Sequence, residues 1–431
     1  MSGSTGGAPK AEVKRAAAEL EAQGELLLRA GRTDEALAHL RRALEAWRTV
    51  LESEPADTEA HQNAAIILQF LGDGGAAVEH VRALGQSVTA GGKTAAILVR
   101  DEGLFFEQDG KLRRSGYAYF RGEHTNFYPK DESLDGPGAL STYFTHGLTP
   151  SSPPLAKDSR IVAFGSCFAA HISDYLDRRG FDVATKNESA AYVSRMGDGI
   201  VNTYAIRQQF EWAWLGRQPT VELWHGYDAK ALGYDEAARL ATKELFDGAD
   251  AFIITLGLSE VWYDEPTGEV FWRAVPKRYY DPARHKFRVV RHAENLANIK
   301  AIHSLIRTCR PEATIVFTLS PIPLNATFRP MSCAVSDSAS KALLRSALDE
   351  FFWDHAQDQK VFYFPSYEIA LRVFAHPYED DRRHPRKHVL DLNMAAFERY
   401  FCQTGLTDED LDERYRVARC SDVQVGLLGR P

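Results

Sequence analysis

From Arg160 onward the chain alternates short, continuously apolar runs with amphipathic stretches, and few folds accept that pattern. The runs are Ile161–Gly165, Phe181–Thr185, Ala251–Gly257, Thr314–Ser320 and Val361–Pro365. A strand that is apolar at every position is buried on both faces, as in a parallel sheet with helices on each side. The intervening stretches carry a helical period. Leu296, Ile299, Ile302 and Ile306 share one side of 291–309, and a helix over 337–356 has Ser336 or Asp337 as its cap. Helix 168–179 follows the first run. The alternation predicts an α/β, doubly wound domain with a central five-stranded parallel sheet, whose ligands bind beyond the carboxyl ends of the strands.

The first part of the chain has a different period. Leu37, Leu40, Leu44, Trp47 and Leu51 lie on one helix face, with Thr33 or Asp34 as cap, Gly31 ending the helix before it and Pro55 stopping it. Asp57 and Thr58 open a third helix, Gly72 closes it, and Val78, Val81 and Leu84 mark a fourth. The segment Gly31–Ala36 recurs 41 residues later as Gly72–Ala77. The unit looks like a tetratricopeptide helix pair with a lengthened second helix. Two such units are too few for a free-standing solenoid. They are expected to dock on the rest of the chain or to present a groove to a protein partner. Gly103–Leu112 reads as two short strands around Asp109–Gly110, and Pro150–Leu155 as a linker. The expected organisation is a disordered tail (1–10), an all-α helical domain (11–88), a connecting β-hairpin and linker region (89–150), a catalytic domain (151–402) and a C-terminal extension (403–431).

Composition excludes several function classes. A net charge of −8 over 431 residues leaves no basic footprint for nucleic acid. No run of about 18 apolar residues predicts a membrane span. The N-terminus lacks the apolar core of a secretory signal, so a cytoplasmic location is expected. The five cysteines, Cys167, Cys309, Cys333, Cys402 and Cys420, form no C-x-x-C pair and no disulfide framework. Cys309 and Cys402 read as small buried fillers.

Cys167 differs by position. It follows Gly165–Ser166 at the end of the first run, where Gly165 permits a tight strand-to-helix turn. A cysteine in the first helical turn feels the positive end of the helix dipole, which lowers its pKa and favours thiolate. The alternative is a small buried thiol at a strand–helix junction. After the last run comes His376–His388, in which Asp381 and His384 stand three apart. A single turn with that spacing lets the carboxylate orient the imidazole, which can then deprotonate a nucleophile. His376, His384 and His388 with Glu379, Asp380 and Asp381 also have the composition of a metal site. A full site needs three or four converging groups, however, and a charged loop with one catalytic pair accounts for the same residues. Neither a metal nor another cofactor is expected.

Phe-Gly-Ser-Cys-Phe-Ala at 164–169, Gly-x-Ser-Glu at 257–260 and Asp-x-x-His at 381–384, in that order, resemble the GSCFA family, a branch of the SGNH/GDSL hydrolases. The resemblance covers residues 145–402. It includes Asn202–Tyr204, Thr318–Leu324, Ser340–Lys341, Leu344–Arg345 and Phe364–Glu368. It implies a flavodoxin-like three-layer sandwich and ester chemistry. Overlay on the SGNH first block puts Cys167 at the nucleophile, with Ser166 the alternative. Asp381 and His384 fall on the fifth block. Gly197 or Gly199 would supply the second-block oxyanion N–H. The third block, at Gly257, reads Ser259 where relatives carry asparagine, and Asn202 could fill that gap. The implied activity is an esterase or O-acyltransferase working through an acyl-Cys167, on a small-molecule or glycan ester or hydroxyl acceptor. The changed third block leaves a non-catalytic binding protein as the other reading. Residues 263–290 form an aromatic insertion, with Val270–Trp272 as a strand, suited to a lid or substrate wall.

Overall fold

The computed structural model describes residues 8–84, 87–90, 93–100, 103–108, 111–114, 126–187, 190–222, 224–225 and 231–428. The chain divides into two compact units, Met1–Ala139 and Leu140–Pro431.

The first unit opens with four helices: α1 (Ala8–Arg29), α2 (Thr33–Ser53), α3 (Thr58–Phe70) and α4 (Gly74–Ala83). Positions 1–7 of the expected tail lie outside the described residues, and 8–10 belong to α1. The expected apolar face of α2 is the packed one: Leu40, Leu44 and Trp47 are buried with Ile67, Val78 and Val81. Asp57 caps α3 by accepting from the Ala60 N–H (2.9 Å), and Asp73 caps α4 by accepting from the Ala76 N–H (3.1 Å). Neither Thr33 nor Asp34 caps α2. Its N-cap is Arg32, and both residues fall inside the first turn. The helices end at Ala83 instead of 88, and an antiparallel meander follows: β1 (Ser87–Ala90), β2 (Lys93–Arg100), β3 (Gly103–Gln108) and β4 (Lys111–Arg114). Its last pair is the expected hairpin, with Gln108 opposite Lys111. Asp109 and Gly110 lie outside the described residues.

The second unit runs β5 (Ile161–Phe164), α5 (Cys167–Arg178), α6 (Ala184–Asn187), α7 (Tyr192–Met196), α8 (Thr203–Leu215), β6 (Trp224–His225), β7 (Ala231–Leu232), α9 (Glu236–Asp247), β8 (Ala251–Leu256), β9 (Glu260–Asp264), β10 (His285–Val289), α10 (His292–Cys309), β11 (Thr314–Leu319), α11 (Cys333–Asp354), β12 (Val361–Phe364), α12 (Ser366–Arg372), α13 (Lys387–Phe401) and α14 (Asp408–Leu428). Four of the five apolar runs form a parallel sheet in the order β12-β11-β8-β5. One face, with Val162, Phe164, Ile254 and Phe317, packs on α8 to α11. The opposite face meets α13 through Phe362 and Phe364, which touch Phe397 and Phe401.

The fifth run, Phe181–Thr185, is not a strand. Only Val183 pairs, in a single parallel bridge to Ile161. The Val183 N–H donates to Phe181 O (3.0 Å), a three-residue turn that extended backbone cannot make, and α6 starts at the next residue. Helix α11 begins at Cys333, four residues before the expected start, and Asp337 is no cap: its Oδ1 accepts from the Leu324 N–H (2.9 Å). In the insertion the paired strands are β9 and β10, with Trp262 opposite Phe287, and Val270 makes only a bridge to Tyr263. Cys402 is buried as expected, whereas Cys309 is exposed.

Segment 150–155 is held, not loose. The Leu155 N–H donates to Phe401 O (2.9 Å), and the Gln403 N–H to Leu155 O (2.7 Å). The C-terminal segment belongs to this unit too, because α14 packs on α13.

The closest approach in the sheet is at the end of β5. Gly165 has φ +135°, and a Cβ there would stand 2.1 Å from Thr255 O. Gly165→Ala therefore combines a disfavoured backbone conformation with a backbone clash. It is expected to lower unfolding stability by roughly 3 kcal/mol, read as a fall in the denaturation midpoint. A midpoint equal to wild type contradicts the geometry.

Candidate functional site

Gly165 sets the turn that starts α5. Its N–H donates to Gly197 O (2.8 Å), joining the end of β5 to the Gly197–Gly199 turn. Ser166 is the N-cap of α5: its Oγ accepts from the Phe168 N–H (3.1 Å), and the residue is 5% exposed. That hydroxyl closes the helix end. Cys167 is the first helical residue and is only partly buried.

The thiol is not activated by its position. Burial pushes the Cys167 pKa up, and the Asp198 carboxylate adds to the rise. Arg383 and Arg273 oppose it without reversing it. The expected lowering by the helix dipole is overridden by desolvation, which penalises the thiolate more than the helix end stabilises it.

Asp381 and His384 are joined as expected. The His384 Nδ1–H donates to Asp381 Oδ2 in a short bond, and the Arg383 and His384 backbone N–H groups donate to Oδ1 (2.9 and 3.0 Å). Those two amides and the imidazole bring the Asp381 carboxyl down to about 2. A neutral imidazole held this way has its lone pair on Nε2. Nε2 makes no hydrogen bond among the described residues, and the imidazole is 55% exposed. The Arg383 side chain acts electrostatically on Cys167, and that of His384 on His171, one turn further along α5.

The other charged residues of 376–388 do not converge on a metal. Glu379 and Asp380 pair with Arg386 (2.9 and 3.2 Å), and His388 faces Asp422 (3.4 Å). No group of three potential ligands that could hold a metal ion is found among the described residues. No helix among them is long and apolar enough to cross a membrane.

A cavity of about 360 Å³ is lined by Asp198, Gly199, Asn202, Leu258, Trp262, Trp272 and Arg273 among others, and neither Asp381 nor His384 is in its lining. Cys167 is not itself in that lining, but Asp198 and Arg273, two of the charges acting on its thiol, are. Of the two glycines left open by the sequence, Gly199 reaches the cavity. Gly197 packs against Phe164 and gives its carbonyl to Gly165. Asn202 lines the cavity with both ends of its amide engaged: Oδ1 accepts from the Ala205 N–H (2.8 Å), and Nδ2 donates to Trp272 O (3.3 Å).

The third block departs from expectation. Ser259 is fully buried. Its hydroxyl donates to Ser340 O (3.1 Å) and accepts from Asn295 Nδ2 (3.2 Å), so it cannot serve an oxyanion. The Gly257 N–H is likewise used, on Val201 O (2.8 Å). Glu260, beside them, lines the cavity. Burial raises its pKa against the hydrogen bond from Thr327.

Sequence reasoning missed Asp198, Arg273, His171 and Asp422. Asp198 stood between the two candidate glycines, and Arg273 within the aromatic insertion. Asp422 on α14 had no local signal. Its carboxylate accepts from the backbone N–H groups of Ala375 and His376 (2.8 and 2.9 Å), at the start of the His384 loop.

Alkylation tests the thiol environment. The pH profile of iodoacetamide attack on Cys167 is expected to inflect at a higher pH in the folded protein than in denatured protein. An inflection below the denatured value would show a preformed thiolate and contradict the desolvated setting.

A search of curated proteins finds no match to the chain. The profile of the GSCFA family matches residues 160–397, more than half of the chain and the whole span from β5 through the Asp381–His384 loop. The chain belongs to the GSCFA family.

Proposed function

We propose that Leu140–Pro431 is an SGNH-type acyl-transfer enzyme, an esterase or O-acyltransferase that forms a thioester on Cys167. The reading rests above all on the Asp381–His384 pair, whose Nε2 makes no hydrogen bond among the described residues and whose neighbour Arg383 acts electrostatically on Cys167. The order β12-β11-β8-β5, with one bridge from Val183 outside β5, supports a flavodoxin-like arrangement. In this reading the four helices of the first unit are tetratricopeptide-like.

In the proposed reaction, His384 Nε2 takes the thiol proton as sulfur attacks the ester carbonyl carbon. The developing oxyanion is met by the Cys167 N–H at the helix start and the Gly199 N–H. Collapse breaks the carbon–oxygen bond, and the leaving alkoxide takes the proton from imidazolium. Water or an acceptor hydroxyl then gives its proton to His384 and attacks the thioester. Sulfur leaves as thiolate and regains the proton. A protonated resting thiol suits this cycle, because the base is used in both halves. Trp262, Trp272 and Arg273 in the cavity suit a carbohydrate-like substrate, whose ring stacks on indole and whose oxygens accept from guanidinium.

Incubation with p-nitrophenyl acetate and mass spectrometry of the trapped acyl-protein is expected to find the adduct on Cys167. Cys167→Ala and His384→Ala should each lower turnover by about 1,000-fold or more with the fold intact. Asp381→Asn should lower it by no more than those. An adduct on Ser166 moves the nucleophile. The absence of any adduct on folded wild-type protein removes the reading.

A further inference from the structure

One fully buried cation has no part in the chemistry above. Lys341, on α11, is 2% exposed. Its ammonium donates to two backbone carbonyls, Gly257 O (2.7 Å) and Ile322 O (2.9 Å). Burial brings it down to about 8, and Asp337, one turn earlier, opposes this shift. An ammonium buried on neutral carbonyls is a costly way to fill space, and an apolar chain of the same length would do so more cheaply.

Its two acceptors lie on different parts of the site. Gly257 is the turn after β8, whose next residue, Leu258, lines the cavity. Ile322 lies between Pro321 and Pro323. The prolines have no N–H, so the segment offers carbonyls to its neighbours. Tyr378 OH donates to Pro321 O (2.7 Å), and Arg383 Nη2 reaches Pro323 O (3.5 Å). Both donors belong to the loop that carries Asp381 and His384. Three successive carbonyls thus receive, in order, the loop, the buried lysine and the loop again. The preceding residue works in the same direction: Ser340 Oγ accepts from the Ser259 N–H (2.7 Å).

We propose that Lys341 is a positioning residue that holds the Gly257 turn in register with the Pro321–Pro323 segment, and through that segment with the His384 loop. The inference rests on the acyl-transfer reading above and adds to it a residue remote from the reacting atoms.

Lys341→Met removes the charge while keeping a chain of similar length. Acylation of Cys167 by p-nitrophenyl acetate is expected to fall by roughly 100-fold, the scale on which small misplacements act. The melting temperature should change little, because removal of the ammonium's desolvation cost offsets the two carbonyls left without their donor. Iodoacetamide alkylation at a pH where solvent base ionises the thiol should stay close to wild type, because it needs neither the oxyanion site nor His384. Lys341→Gln retains an amide donor and is expected to lose less, roughly 10-fold. It is the variant to use if Met does not fold. Acylation at the wild-type rate in a folded variant overturns the proposal, as does a fall in melting temperature with both rates intact. Failure of wild-type protein to be acylated at all would instead sink the acyl-transfer reading on which it rests.

Discussion

The contact between Gly165 and the backbone of Thr255 is the constraint from which the site follows. Two parallel strands, β5 and β8, end so close together that a methyl group at 165 would stand 2.1 Å from Thr255 O. The chain leaves β5 at an angle only glycine tolerates, and α5 begins at once. Ser166 then accepts the N–H that closes the helix end, and Cys167 falls on the first helical position. The same glycine reaches sideways to Gly197, so the turn bearing Asp198 and Gly199 is fixed relative to the thiol. Packing of the sheet therefore determines where Cys167, Asp198 and Gly199 stand.

The electrostatics of the two halves differ in kind. The thiol is partly buried, and removal of water outweighs the helix end and two guanidinium groups. The Asp381–His384 pair is open to solvent, where an ion pair contributes little to stability. Its carboxylate is held ionised mainly by two backbone amides of its own turn, so the orientation of the imidazole does not depend on burial. A substrate that covers the loop would exclude water from the pair and strengthen it at the moment a proton has to move. The candidate site thus combines a desolvated thiol with an exposed, pre-oriented imidazole.

Much of this was legible in the sequence because it depends on local pattern. Continuous apolar runs identified β5, β8, β11 and β12, and a three-residue spacing identified the Asp381–His384 pair. The errors have physical causes. Phe181–Thr185 has the composition of a strand, but a bond within the segment curls it after one bridge. Ser259 has the chemistry of an oxyanion donor, yet tertiary packing turns it toward Ser340 and Asn295. The direction of the Cys167 shift was misjudged because a helix end is visible in sequence and desolvation is not. Asp422 was invisible for the same reason: its partners are backbone amides nearly fifty residues away.

Those distant contacts explain how a loop of exposed charges can hold a defined geometry. Residues 375–386 have no hydrophobic core of their own, so their geometry has to come from polar anchors. Asp422 holds the entry through two amides, Arg386 ties Glu379 and Asp380 together at the exit, and Tyr378 and Arg383 rest on proline carbonyls in between. The loop closes on itself where the Glu379 N–H donates to His384 O (2.8 Å). Each anchor is a directional bond to backbone or to a planar group, so together they restrict rotation as well as position. Reaction rates fall steeply when reacting groups are displaced by even about 1 Å. An array of short polar ties can meet that tolerance while leaving the imidazole open to a substrate, which a hydrophobic cluster burying the same loop could not.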